Sequence, residues 1–286
     1  AYTELADPDV SGWNTAKVTT MKEMFRSAES ADPNVSAWGT GLVEDMSGMF
    51  YNADSADPNM QSWETGNVTN MSEMFRESTS VTVLNTFNWD TSEVLDMSLM
   101  FYGATNATPT VTNWNVAKVE NMDQLFSSAT SATPDVSTWN TSSVTNMRFM
   151  FYNADAATPN VTNWNVANVE DMEGMFKKAA LANPVLTNWV TSNVTNMAQM
   201  FYETPAATNP DMDGWDFANV VDMSNMFFGI DIGVDNYSDL LEQLANENLN
   251  ENVTLHGGDA QANTNGETAR TTLRGRGWTI NDGDDP

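Results

Sequence analysis

The sequence predicts a repeat solenoid of mixed α/β character, closed at its C-terminus by a capping segment. Tryptophan recurs every 25 or 26 residues, phenylalanine follows each of these tryptophans by twelve residues, and proline precedes most of them by five. A unit repeated at a period of about 20 to 50 residues is typical of coils that stack on one another. We therefore assign residues 1–228 to a solenoid of nine repeats and residues 229–286 to the cap. The repeated tryptophans are Trp13, Trp38, Trp63, Trp89, Trp114, Trp139, Trp164, Trp189 and Trp215.

Each repeat is expected to contain one short helix. In the first repeat, Met21, Met24, Phe25 and Ala28 have helical spacing, and the residue before Met21 is of a type that caps helices. Thr20 and Glu23 even have the spacing of a capping box. The equivalent capping positions are Thr20, Asp45, Asn70, Asp96, Asn121, Asn146, Asp171, Asn196 and Asp222.

A short strand is expected after the proline of each repeat. Proline lacks the N–H group that a continuing helix needs, so Pro33 and its equivalents end the helix. The segments 10–13 and 111–114 would then pair with their neighbours as a parallel sheet, with coils about 4.7 to 4.9 Å apart. This arrangement places the tryptophans and the paired methionines in the core.

The C-terminal segment has a different pattern. Residues 237–249 and 267–273 have helical periodicity, whereas 253–255 and 278–280 are expected to be short strands. An atypical last unit covers the core and the free sheet edge that the final coil would otherwise expose. We therefore predict an α/β cap.

Composition restricts the possible functions. The chain has 39 acidic and 11 basic residues and a formal charge of -28, which opposes binding to nucleic acid or to an anionic membrane surface. It contains no cysteine, which excludes disulfides and thiolate metal sites. The sequence contains no apolar run of membrane-spanning length, and a basic-then-apolar leader pattern is not seen in it. We expect the chain to be part of a longer protein.

The segment from Trp139 to Ala154, WNTSSVTNMRFMFYNA, resembles the BspA-like bacterial surface repeat, a relative of leucine-rich repeats. The resemblance covers residues 7–228, and the segment 277–283 is similar to the sequence that often follows such repeats. It implies a leucine-rich-repeat-like, right-handed stack of coils in a secreted or surface-exposed protein associated with adhesion. The chain departs from the family pattern where alanine replaces the usual aromatic residue after the helix, as at Ala31 and Ala56.

One surface column alternates between cationic and aromatic residues. It consists of Arg26, Tyr51, Arg76, Tyr102, Ser127, Tyr152, Lys177, Tyr202 and Phe228. Neighbouring coils would bring these side chains within cation–π distance, which favours a stabilising ladder. The alternative is a glycan-binding stripe formed by Tyr51, Tyr102, Tyr152 and Tyr202.

A second column is polar, and regular rows of hydroxyl and amide groups suit a sugar or a peptide. Its candidate ligand-binding residues are Thr112, Asn113, Thr162, Asn163, Thr187 and Asn188. The alternative is an ordinary solvent-facing surface. Ice binding would require a flat threonine array, and glutamates such as Glu44 and Glu120 interrupt the Thr19 column.

Acidic residues cluster near the proline turns, and loop carboxylates of this kind are ligands that Ca²⁺ prefers. The candidate ligands are Asp7, Asp32, Asp54 and Asp57. They lack the spacing of known calcium loops, so solvated acids are the alternative. We expect no other cofactor.

These patterns favour a non-enzymatic binding or adhesion module. The chain has a single histidine, His256, and no arrangement that indicates a catalytic centre. The expected location is extracellular or at the cell surface, and the expected partner is a glycan or protein on a host, a neighbouring cell or the matrix. The alternative is a structural spacer or a filament subunit.

Overall fold

The computed structural model describes residues 7–82, 84, 86–208, 210–247 and 249–283. Its helices and strands all lie in the C-terminal segment: α1 (Val234–Asn246), β1 (Thr254–His256), α2 (Thr264–Gly275) and β2 (Thr279–Asn281). The rest of the described chain is a stack of coils built from turns. Residues equivalent to Thr20 form isolated parallel bridges from coil to coil, as far as Asp222. None of the helices in the described ranges is long and apolar enough to cross a membrane.

The prediction of a short helix in each repeat is wrong. The segment 21–28 is a series of tight turns, in which the Met24 N–H donates to Met21 O at 3.2 Å and the Ala28 N–H to Phe25 O at 3.1 Å. Alternate N–H groups of this segment, beginning with Met21, donate to the next coil instead, and the Met21 N–H donates to Asp45 O at 2.8 Å. Glu23 has a φ of 53° and Ser27 a φ of 54°, which a right-handed helix does not allow.

The prediction of a strand at residues 10–13 is also wrong, because the Trp13 N–H donates to Val10 O at 3.1 Å and closes a turn. The Asp9 carboxylate accepts the Ser11 N–H at 3.1 Å, as is typical of an Asx turn. The segment 111–114 is closed in the same way, with Trp114 N and Val111 O 3.0 Å apart. The parallel pairing between coils lies instead at the column of Thr20.

The predicted core position of the repeated aromatic residues is confirmed except at Trp13, which lies in the first described coil and is 51% exposed. From Trp38 to Trp215 the repeated tryptophans are buried, and the phenylalanines stack coil on coil with ring centroids 5.4 to 5.8 Å apart. Each of these tryptophans also donates its indole N–H to a backbone carbonyl of the preceding coil at 3.0 to 3.4 Å. The paired methionines, such as Met147 and Met150, fill the space beside the rings.

The C-terminal segment closes the stack in the manner expected of a cap. β1 takes the place of the next coil, since Thr254 O accepts the Met223 N–H at 3.2 Å and His256 O accepts the Phe227 N–H at 3.1 Å. β2 pairs with β1 in parallel. Tyr237 on α1 and Arg270 on α2 both bind the buried Asp282 carboxylate, at 2.7 and 2.8 Å. The cap thereby continues the coil-to-coil hydrogen bonding and ties its own C-terminal strand to both helices.

Candidate binding surfaces

The cationic and aromatic column forms a ladder across the coils, as predicted. We call the residues Arg26, Tyr51, Arg76, Tyr102, Ser127, Tyr152, Lys177, Tyr202 and Phe228 the aromatic–cation ladder. The Arg26 guanidinium lies 4.2 Å from the Tyr51 ring centroid, and Arg76 lies 5.1 Å from the centroids of both Tyr51 and Tyr102. Further along, the Lys177 amine lies 5.6 Å from the Tyr152 centroid and 4.7 Å from that of Tyr202.

This geometry bears on the predicted glycan stripe. Both faces of the Tyr51 ring are occupied by guanidinium groups, and the Tyr202 ring has Lys177 as one neighbour and Phe228 as another, with the Phe228 centroid 4.8 Å away. A sugar that stacks on an aromatic residue needs a free ring face. The ladder therefore leaves the edges and hydroxyls of these tyrosines for a ligand, and it favours the stabilising interpretation at Tyr51 and Tyr202.

Several ladder neighbours were not predicted as site residues. Phe149 packs edge-on against Tyr152 at 5.7 Å, the Arg148 guanidinium lies 4.8 Å from the Phe149 centroid, and Arg148 binds Glu173 at 2.8 Å. The hydrogen bond to Glu173 raises the pKa of Arg148. Phe149 was detectable in the sequence, because the equivalent positions in neighbouring repeats are Gln124 and Gly174.

The ladder also contains uncompensated polar groups. Desolvation raises the pKa of Asp123, and the hydrogen bond from Gln124 and the charge of Arg148 only partly oppose this rise. Burial lowers the pKa of the Lys177 amine, and the neighbouring Lys178 acts in the same direction. In the part of the chain that the structure describes, Asp123 Oδ1 and Ser127 Oγ are buried and lack a hydrogen-bond partner. Both atoms belong to the same turn.

The predicted polar column lies on the turns that precede the tryptophans. We call Thr112, Asn113, Thr162, Asn163, Thr187 and Asn188 the polar-pair surface. Its asparagines are exposed, and its threonines are exposed or half-buried. Each pair is held in a fixed turn. In the turn of Thr112, Val111 O accepts the Trp114 N–H at 3.0 Å and the Trp139 indole at 3.1 Å, and Thr112 O accepts the Thr138 hydroxyl at 2.7 Å.

Three of the candidate calcium ligands, Asp7, Asp32 and Asp57, form a column, Asp54 lies outside it, and the four do not converge. One oxygen of Asp7 accepts the Asp32 N–H at 3.3 Å, and one oxygen of Asp32 accepts the Asp57 N–H at 3.3 Å. Asp54 binds the N–H and hydroxyl of Thr79 at 3.3 and 3.0 Å. These carboxylates therefore hold the backbone of the next coil. Within the described ranges, no group of three or more His, Cys, Asp or Glu residues is placed to hold a metal ion.

The single histidine lies where the cap meets the last coil. The His256 ring packs edge-on against Phe228 with centroids 5.3 Å apart, and its Nδ1 accepts the Gly258 N–H at 3.2 Å. Both contacts tie the strand β1 to its surroundings. They give His256 a structural role at the end of the ladder.

Comparison with known proteins places the repeats in a family of unknown function. The family described as "Mycoplasma protein of unknown function, DUF285" matches residues 1–86, 79–189 and 134–239. These overlapping matches together span residues 1–239 of the 286-residue chain, and the chain belongs to this family. No curated protein and no solved structure gives a significant match. The matches confirm a repeat protein, whereas its function has to be inferred from its surfaces.

Proposed function

We propose that this protein is a non-enzymatic binding or adhesion module, and that its polar-pair surface contacts a glycan or protein ligand. The observation that carries this proposal is the fixed turn beneath each Thr-Asn pair. The Trp139 indole and the Trp114 N–H both anchor Val111 O. The equivalent turns repeat from coil to coil, and they present a Thr-Asn pair in three of four consecutive coils and the hydroxyls of Ser137 and Thr138 in the other. A ligand with repeating polar groups can bind such a surface without ordering it first.

The family resemblance extends the proposal to architecture and location. We place the coils with the BspA-like, leucine-rich-repeat-like right-handed solenoids, and we place the protein outside the cell or at its surface as part of a longer chain. Its ligand then lies on a host, on a neighbouring cell or in the matrix. The charge of -28 supports partners other than nucleic acid and anionic membranes.

A binding screen tests the proposal directly. The purified protein would be applied to a glycan array and to a panel of immobilised matrix proteins, with and without Ca²⁺. We expect a ligand whose binding falls when Asn113, Asn163 and Asn188 are all changed to alanine. Asn246→Ala is the matched control, because Asn246 is equally exposed but lies on the cap. Equal binding by the triple variant and the wild type would remove the polar-pair surface from the proposal.

A structural spacer is the second candidate, and the covered ring faces of the ladder favour it. Arg26 and Arg76 both contact the Tyr51 ring across three consecutive coils, so these side chains stiffen the stack. A spacer predicts no ligand in either screen. It also predicts that the length of the particle in small-angle scattering shortens when the ladder is removed.

A further inference from the structure

The aromatic–cation ladder lacks the expected cation at Ser127, which lies between two tyrosines, and at Phe228, which ends the ladder. Arg76 lies between Tyr51 and Tyr102, with its guanidinium 5.1 Å from both ring centroids. Lys177 lies in the same way between Tyr152 and Tyr202. Tyr102 and Tyr152 are also two coils apart, but the residue between them is Ser127. The side chain of serine is too short to reach the level of the rings and carries no charge.

The turn that contains Ser127 also holds two unsatisfied polar atoms. Ser127 is buried, and neither its hydroxyl nor Asp123 Oδ1 has a hydrogen-bond partner within the described residues. The Gln124 amide donates only to the other oxygen, Asp123 Oδ2, at 3.0 Å. Buried unsatisfied polar atoms are uncommon in native proteins and each costs free energy. A cation with several N–H donors that enters this turn would offer the Ser127 hydroxyl the partner it lacks, in addition to the Arg148 charge that already acts on Asp123.

We propose that the Ser127 turn is a binding site for a cationic side chain, arginine or lysine, of a protein partner, which enters between the Tyr102 and Tyr152 rings. A guanidinium is planar and stacks on aromatic faces, and Arg76 already occupies the equivalent place one coil pair away. The negative charge of the whole chain attracts such a group. Ser127 is fully buried and both rings are half-buried, so entry of the cation requires the Tyr102 and Tyr152 side chains to rotate apart.

The assignment to a protein partner rests on the proposed binding function, whereas the site itself is tested with a small probe. N-acetyl-arginine amide would be titrated into protein carrying ¹³C-labelled tyrosine, and N-acetyl-citrulline amide serves as its uncharged isostere. The chain has six tyrosines, so the ring signals can be assigned by substitution. We expect the Tyr102 and Tyr152 rings to shift saturably, with binding of the citrulline compound weaker by about tenfold, since two cation–π contacts are lost.

Two variants make the experiment specific. Ser127→Arg places a guanidinium of the chain in the site, and we expect it to abolish the shifts of Tyr102 and Tyr152. Arg76→Ser removes the cation of the neighbouring position, so the probe should now also shift the Tyr51 ring. An unchanged amide spectrum at the other coils would show that each variant is folded.

Three results would overturn the proposal. The first is equal shifts with the arginine and citrulline compounds, and the second is undiminished binding by folded Ser127→Arg. The third is tighter binding of glucosamine than of the arginine compound, since that outcome assigns the site to a sugar amine. Beyond these three results, a titration that shifts neither ring also overturns the site, but it leaves the proposed function standing, because the probe does not report on the polar-pair surface.

Discussion

Replacing one core tryptophan tests the architecture on which the functional proposals depend. Trp139 is 2% exposed and stacks between Trp114 and Trp164, with ring centroids 6.4 and 6.1 Å away. Trp139→Ala leaves a cavity that costs about 3 to 5 kcal/mol of unfolding free energy. The lost indole hydrogen bond adds less than about 1 kcal/mol, because Val111 O keeps the Trp114 N–H as a donor. We therefore expect a total loss of roughly 4 kcal/mol.

Trp13→Ala is the matched control, since it is the same substitution in the same column. Trp13 is 51% exposed and stacks on Trp38 alone, at 6.0 Å. Its replacement should cost about 1 kcal/mol. Denaturant unfolding measures both losses, and hydrogen exchange locates them. Because the indole bond reaches back one coil, protection in Trp139→Ala should fall mainly from about residue 111 to about residue 165 and be retained in distant coils.

The reasoning would be refuted if the two variants lost the same stability. A uniform loss of protection along the whole chain would also contradict it, because coils that contact only their neighbours loosen locally. In that case the tryptophans would not be separate rungs of the core. The fixed turns beneath the polar-pair surface would then need another explanation.

The remaining predictions concern the ladder, the acidic turns and one buried carboxylate. Tyr102→Ala should lower the unfolding free energy by about 1 kcal/mol, and Tyr51→Ala by more, because two cations pack on Tyr51; equal losses in chemical denaturation would contradict this. NaCl should raise the melting temperature by screening the charge of -28, and CaCl₂ at matched ionic strength should add nothing; an extra calcium shift would indicate a specific site at the aspartate column. Asp123→Asn should raise the melting temperature at pH 7. The pKa of Asp123 is raised in the folded protein, so its ionisation destabilises the fold as pH rises from about 3.9 through the folded pKa. This advantage should disappear below pH of about 3.5, and a melting curve with the same advantage at both pH values would refute the electrostatic cause.

The sequence predicted the repeat and the core better than the local conformation. The regular recurrence of tryptophans and phenylalanines such as Trp139 and Phe151 identifies the stacked core positions independently of the backbone conformation between them. The residues at the predicted capping positions led to the wrong prediction of a helix. In the structure, the Asp45 carboxylate accepts the Ser47 N–H at 2.8 Å within a turn. The same side-chain chemistry caps a helix or closes an Asx turn. The left-handed φ of Glu23 and its equivalents decides between the two, and it depends on hydrogen bonds to the next coil that local spacing does not reveal.

The candidate sites were predictable to different degrees. Contacts between Arg76 and Tyr102 follow from the repeat alone, because equivalent positions of neighbouring coils lie side by side. The missing partner of Asp123 Oδ1 cannot be predicted in this way, since it depends on where the Gln124 amide and the Arg148 guanidinium point. The aspartates near the prolines show the same limit. Their residue type suits calcium, but Asp7 and Asp32 each accept a backbone N–H from the following coil.

The turn-based coil explains why this chain can carry variable surface columns on a constant core. In a helix, the backbone N–H groups bond within the element, whereas here Met21, Glu23, Phe25 and Ser27 donate to the next coil. The stack is thus held by the backbone and by the buried aromatic rungs. Side chains of the ladder can therefore differ from coil to coil, as from the half-buried Arg26 to the buried Ser127, without breaking this bonding. A ladder position such as Ser127 can therefore lack a cation and still be held in a fixed turn, which is what the proposed site for a partner's cation requires.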